Sequence, residues 1–234
     1  MKNQLYQVVS FVAVGAYFVP IIIVMVKRLW PLIPFLLFAS YWLLGGLVNL
    51  IEFIPLPKSA VEMITVIYNM LDMPMVLGIF YFSTSSASIK KFTRIAMPGY
   101  ALLMLINCMV KGVNYDALKY VLGIGLLLVL VSIVWEIILY LQKIKHTSQE
   151  KALLFIYAAM LFEYGTYVVI YIFDYFLPGV STTTDNFFVY YISSLVALSV
   201  AVCGFLTRGL NAPKNHFESS FNRKIREYSF QKEL

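Results

Sequence analysis

The chain has 234 residues, of which 61% are hydrophobic and 13% are charged. Soluble domains average about 45–50% apolar and roughly 25% charged residues, so this composition excludes an ordinary soluble domain. The formal net charge is +6, but the basic residues flank apolar runs, a pattern that indicates membrane topology and not nucleic-acid binding. We therefore expect the chain to reside in a lipid bilayer.

Seven apolar runs follow one another, each long enough or nearly long enough to cross a ~30 Å hydrocarbon core as a helix. The predicted spans are 4–26, 31–54, 61–83, 93–110, 118–142, 151–175 and 186–208. Pro20, Pro74 and Pro98 lie inside spans, where we expect bends because proline removes a backbone donor. The sequence therefore predicts an all-α fold, a polytopic bundle of seven transmembrane helices over residues 1–208.

The distribution of basic residues predicts the orientation. When the loops are assigned alternately to two sides, 14 of the 18 Lys and Arg fall on the side that carries the C-terminus. Loops on the cytoplasmic side of a membrane are enriched in Lys and Arg. The N-terminus is therefore predicted to lie outside and the C-terminus in the cytoplasm, with the protein passing several times through a plasma or inner cell membrane.

Residues 209–234 form the predicted cytoplasmic tail. Its apolar residues recur at helical spacing and are Phe217, Phe221, Ile225 and Tyr228. Basic residues lie elsewhere around the helical wheel, so the pattern predicts a short basic amphipathic helix within residues 214–228. Such a helix suits two roles, an anchor on the anionic inner leaflet or a docking site for a membrane or cytoplasmic protein partner.

Two carboxylates, Asp72 and Glu163, lie deep in apolar spans that place no Lys, Arg or His at similar depth. At a rise of ~1.5 Å per residue, Asp72 is ~16 Å from the outer end of its span and Glu163 is ~18 Å from the inner end of its own. An ionisable group near the bilayer midplane is costly and is by default a functional-site hypothesis. The alternative is structural, with both groups neutral or bonded to tyrosines that hold helices together.

Polar residues on several spans share faces at helical spacing, and such faces usually point into the bundle. The predicted ligand or proton site comprises Asp72, Glu163, Asn69, Asn49, Tyr68, Tyr164 and Tyr167. An acidic outer rim above it comprises Glu52, Glu62 and Asp174. The tyrosines of span 151–175 fit either packing with an interfacial belt or a vestibule that attracts cations.

The sequence lacks the motifs of catalysis and of cofactor binding. The two histidines, His146 and His216, lie outside the predicted spans, so no intramembrane histidine can ligate haem or a metal. The last span, 186–208, has no lysine for a Schiff base, which excludes the covalent retinal of the microbial rhodopsins, to which the chain is similar in architecture only. No nucleophile elbow or phosphate loop occurs. We expect no enzyme, no cofactor and no metal site.

Three functions fit these features. The leading prediction is a sensor or receptor-like protein that binds a small ligand, cationic or apolar, in the polar pocket near the midplane. The second is a small-solute or proton-coupled transporter or channel, because a protonatable pair and in-span prolines suit alternating access. The third is an accessory subunit of a membrane complex, whose polar face packs against another membrane protein.

Overall fold

The computed structural model describes residues 2–177 and 183–211, and over these residues it is all-helical, without strands. The helices are α1 (Lys2–Ala16), α2 (Val19–Val26), α3 (Ile33–Asn49), α4 (Lys58–Ser83), α5 (Ala87–Lys111), α6 (Tyr115–Leu141), α7 (Ser148–Tyr175) and α8 (Thr183–Phe205). The side chain of Glu52 and the predicted tail helix at 214–228 lie outside what is described.

Six helical segments of the described chain are long and apolar enough to cross a membrane. They are Gln4–Val26, Lys58–Ser83, Ala87–Lys111, Lys119–Leu141, Ser148–Tyr175 and Asn186–Phe205. The first combines α1 with α2, and α3 is a shorter apolar helix of 17 residues. The prediction of a helical, multi-pass membrane protein is confirmed at this level.

The second predicted span, 31–54, is longer than the helix that forms there. The α-helix ends at Asn49 and continues only as a 3-10 turn over Leu50–Phe53. Pro55 and Pro57 follow directly, and a residue that precedes proline is disfavoured in the α conformation. The apolar run therefore extends into a turn that the hydropathy pattern alone does not distinguish from helix.

The fourth predicted span, 93–110, is shorter than the helix that contains it. Helix α5 begins at Ala87, where the Ser86 hydroxyl accepts a hydrogen bond from the Ile89 N–H and caps the first turn. The basic residues Lys90 and Lys91 belong to this helix, although as charged residues they lie outside the predicted apolar span 93–110. The cap, and not the apolar pattern, therefore fixes where the helix starts.

The three in-span prolines have different consequences. Before Pro20 the first segment is interrupted, with α1 ending at Ala16 and α2 beginning at Val19. Pro20 has no N–H to donate to the Ala16 carbonyl four residues earlier, which accounts for the break. Pro74 and Pro98, by contrast, lie inside α4 and α5, and both helices continue through them.

The helices pack side by side, with α5 at the periphery. Helix α1 packs on α3 and α8, α4 packs on α3 and α6, and α7 packs on α6 and α8, while α5 packs against α4 and α6. The Lys27 ammonium, which follows α2, donates to the Phe205 carbonyl at the end of α8 over 2.9 Å. We call the side where α1, α4, α6 and α8 begin the N-terminal face and the opposite side the C-terminal face.

Buried aromatic rings fill the half of the bundle nearer the C-terminal face. This aromatic layer consists of Phe35, Phe38, Trp42, Phe80, Tyr157 and Phe205. Phe38 meets Phe80 edge-on at 6.2 Å, and Phe80 stacks on Tyr157 at 5.3 Å between ring centroids. Trp42 meets Phe205 at 6.1 Å. Each such pair contributes ~0.5–1.5 kcal/mol beyond burial, so the layer is a well-packed closure below any cavity that opens at the N-terminal face.

Candidate functional site

A pocket of about 670 Å³ lies between α3, α4, α6, α7 and α8 and opens at the N-terminal face. Its volume is within the ~300–1,000 Å³ typical of small-molecule sites. Five residues of the predicted site line it, and they are Asn49, Tyr68, Asn69, Asp72 and Tyr167. Two residues of the predicted rim, Glu62 and Asp174, also line it. Glu163 and Tyr164 are not part of the lining and lie buried beside it.

Asp72 lies at the closed end of the pocket with one oxygen bonded and the other free. Its side chain is only 4% exposed, and the Tyr164 hydroxyl donates to Oδ2 over 2.7 Å. The Tyr164 oxygen lies 3.0 Å from the Tyr41 hydroxyl. Because a phenol has one proton, Tyr41 donates to Tyr164 while Tyr164 donates to Asp72. The other oxygen, Oδ1, is buried and has no hydrogen-bond partner.

Glu163, in contrast, has a hydrogen-bond partner within reach of each oxygen. It is 2% exposed; the Trp42 indole N–H donates to Oε2 over 3.1 Å and the Tyr17 hydroxyl donates to Oε1 over 3.3 Å. The Tyr17 oxygen also lies 2.7 Å from the Tyr190 hydroxyl and 2.9 Å from Ser194 Oγ. Tyr190 lines the pocket, so Glu163 is linked to the pocket through hydroxyl groups.

Two pairs of sequence neighbours connect α3 to α7. Tyr41 and Trp42 face Tyr164 and Glu163, and each residue of one pair is hydrogen-bonded to a residue of the other. Neighbouring residues of a helix point about 100° apart, so one member of each pair reaches toward α4 and the other toward α1 and α8. The two carboxylates thus belong to adjacent hydrogen-bond networks and are not bonded to each other.

The pocket is acidic. Its lining carries the carboxylates of Asp72, Glu62 and Asp174 and one basic residue, Lys58. Within the described residues the ion pair that forms is Lys143–Glu150 at 2.6 Å, near the C-terminal face. Asp72 and Glu163 therefore have no cationic partner in the described part of the chain.

Several side chains of the two networks were absent from the predicted site. Tyr41, Tyr190 and Ser194 lie on the polar faces that the helical spacing reveals, so their position could be inferred from sequence. Tyr17 and Trp42 could not, because each lies beside another aromatic residue in an apolar run and resembles ordinary packing.

The arrangement is suited to recognition. The lining includes Asp72, which has an unpartnered Oδ1, as well as tyrosine rings and the amide of Asn69, and its apolar side is formed by Met73, Leu122 and Leu126. Among the described residues no group of three or more His, Cys, Asp or Glu is placed to hold a metal ion. In comparisons with known proteins, no family model, no curated protein and no solved structure matches the chain.

Proposed function

We propose that the chain is a seven-helix membrane sensor, receptor-like in action, that binds a small ligand in the pocket between α3, α4, α6, α7 and α8. In this proposal the N-terminal face lies outside the cell and the C-terminal face lies in the cytoplasm. The protein resides in the plasma or inner membrane, and ligands reach the pocket from outside. We infer no enzymatic activity and no cofactor, because the sequence has neither an intramembrane histidine nor a lysine in 186–208.

The length of α3 with its following turn supports a seventh span. The helix of 17 residues is ~26 Å long, and the 3-10 turn adds ~8 Å, which together cover a ~30 Å core. The charges support the orientation, because basic residues of the described chain concentrate at the C-terminal face. They are Lys27, Arg28, Lys90, Lys91, Arg94, Lys143, Lys145, Lys151 and Arg208, as expected for a cytoplasmic side.

The unpartnered Oδ1 of Asp72 is the observation that carries the proposal. A buried acceptor without a donor costs ~1–3 kcal/mol, and more when it is charged. Oδ1 is left in this state at the end of a pocket of about 670 Å³. A ligand that enters the pocket and donates a hydrogen bond removes this cost, so the arrangement favours occupancy.

The same contacts link ligand binding in the pocket to the packing of the helices. Tyr164 bonds Asp72 and belongs to α7, while its partner Tyr41 precedes Trp42, which packs in the aromatic layer. A ligand that changes the Asp72–Tyr164 bond thereby biases the packing of α3 against α7 and α8. This bias shifts the populations of two arrangements of these helices only if the ligand binds one arrangement more tightly than the other.

Transport is the second candidate, and the two hydrogen-bonded carboxylates favour it. In the described structure, however, the aromatic layer lies between the pocket and the C-terminal face, so passage requires α3 and α4 to separate from α7 and α8. An accessory subunit has weaker support, because the polar residues face the bundle interior and not an outer surface.

A pocket-filling variant tests the proposal. Thr65 lines the pocket, so Thr65→Trp should abolish the rise in melting temperature that bound small molecules give the protein in nanodiscs. Ile67→Trp is the matched control, because Ile67 lies on the same helix with its side chain 39% exposed and outside the pocket lining. If no compound stabilises the wild type, or if Thr65→Trp is stabilised equally, the pocket is not a binding site.

A further inference from the structure

We propose that the ligand is a small organic cation, a primary or secondary ammonium that donates an N–H to Asp72 Oδ1 and places its carbon skeleton among the tyrosines of the pocket. This assignment rests on the proposed function of the pocket and adds the chemical class of its ligand.

The sign of the charge follows from Asp72. A carboxylate accepts hydrogen bonds and donates none, and Tyr164 already occupies Oδ2 over 2.7 Å. Only Oδ1 lacks a hydrogen-bond partner, and it is a buried atom of a residue that lines the pocket. An anionic ligand would be repelled by the like charge of the carboxylate. An ammonium group, by contrast, supplies both a hydrogen-bond donor and the missing opposite charge.

The entrance of the pocket also favours positively charged ligands. Glu62 and Asp174 line the outer part of the pocket and are exposed, and the Asp174 carboxylate accepts a hydrogen bond from Asn186 over 2.5 Å. Lys58 is the basic residue of the lining, so carboxylates outnumber ammonium groups there three to one. Clefts lined by one sign of charge raise the local concentration of ligands of opposite sign.

The remaining lining fits an organic skeleton. The rings of Tyr167 and Tyr190 are 5.4 Å apart between centroids, and both residues line the pocket together with Tyr68. Tyrosine faces attract ammonium groups through cation–π contacts. The apolar side formed by Leu122 and Leu126 suits hydrocarbon, and the described residues contain no group of three or more His, Cys, Asp or Glu placed to hold a metal ion.

The test compares ligands that differ only in charge. Propyl, cyclohexylethyl, phenylethyl and indolylethyl skeletons are each offered as the amine, the alcohol and the carboxylate to the wild type in nanodiscs, and affinities are measured by calorimetry. At least one amine should bind, with its alcohol weaker by about tenfold or more and its carboxylate not measurable. Because these ligands are offered to the wild type, the result does not depend on any variant folding.

A variant that removes the charge of Asp72 then tests whether this carboxylate causes the preference for amines. Asp72→Asn should weaken the affinity for the best-binding amine by about tenfold or more and leave the affinity for its alcohol within about twofold of the wild type. Glu136→Gln is the matched control, because Glu136 is also buried with an unpartnered oxygen but does not line the pocket. It should leave the amine affinity unchanged.

The outcomes separate this inference from the proposed function. If alcohols or carboxylates bind as well as amines and Thr65→Trp abolishes their binding, the pocket is functional but the cation assignment is overturned. The cation assignment is also overturned if Asp72→Asn folds and keeps full amine affinity. If none of the compounds binds the wild type, the cation assignment is overturned, and the Thr65→Trp comparison decides separately whether the pocket binds ligands.

Discussion

Asp72 and Glu163 are equivalent in the sequence, both acidic and both near the midplane, yet they differ in the structure. Glu163 has a partner for each oxygen, Trp42 and Tyr17, so it joins α3 and α7 to the turn between α1 and α2. Asp72 accepts a hydrogen bond from Tyr164 at Oδ2, while its buried Oδ1 has no hydrogen-bond partner. Depth could be predicted from helical rise, but the donors come from spans far apart in sequence, and no local pattern pairs them.

The Glu163 network yields a stability prediction. Trp42→Phe removes the indole N–H and leaves Oε2 of a buried carboxylate without a donor, which should cost ~1–3 kcal/mol of unfolding free energy. The change also reduces ring contacts in the aromatic layer, so the measured loss should lie at the upper end.

Trp30→Phe is the control for this change, because Trp30 is 45% exposed and loses no described hydrogen bond. Denaturant titrations of both variants in mixed micelles, followed by ellipticity, measure the difference. Equal stability of the two variants would contradict the structural role assigned to the Trp42–Glu163 bond.

At the scale of helices, the sequence predicts the existence of the elements better than their ends. Six apolar runs became candidate spans and the break before Pro20 follows from its missing donor. The end of α3 at Asn49 and the start of α5 at Ala87 depend on a following turn and a serine cap, which hydropathy does not register. Packing partners were predictable only for polar faces, because apolar faces of membrane helices resemble one another.

The contact between α7 and α8 is close enough to test directly. A Cβ added at Gly204 would lie 2.7 Å from the Ala152 carbonyl oxygen, an atom of the α7 backbone that cannot rotate away. Gly204→Ala should therefore force the helices apart and lower stability by ~1–3 kcal/mol.

Gly165→Ala is the control for Gly204→Ala, because a Cβ added at this position of α7 meets no atom within 4 Å. The same added methyl group should leave stability unchanged or slightly higher, since alanine favours helix over glycine. Melting temperatures in nanodiscs compare the two, and a Gly204→Ala variant as stable as Gly165→Ala would show that α7 and α8 do not approach as closely as described.

For the whole molecule, the structure joins an acidic pocket at the N-terminal face to a closed aromatic layer at the other. The sequence predicts an acidic rim and converging polar faces, and the pocket lining contains Asn49, Asn69 and Asp72. The closure was not predictable, because the rings of Phe38, Phe80 and their neighbours are dispersed over four helices and look individually like lipid-facing residues.

The proposed orientation determines which side of the membrane the ligand comes from. Both native cysteines, Cys108 and Cys203, are free and can be replaced by alanine. In that background Lys58→Cys should react with a membrane-impermeant maleimide on intact cells, whereas Lys145→Cys should react only after the membrane is opened. The reverse pattern would place the pocket on the cytoplasmic side and overturn the proposed topology.

The unpartnered Oδ1 of Asp72, which we propose as the acceptor for an ammonium group, is the feature on which the proposed function and its ligand class both depend. A high-resolution density map of the protein with the best-binding amine tests this most directly. We expect ligand density between Tyr68 and Tyr167, with its nitrogen about 2.8 Å from Oδ1 and Tyr164 still bonded to Oδ2. Density that shows Oδ1 bonded to another group of the protein, or the amine seated away from Asp72, would contradict it.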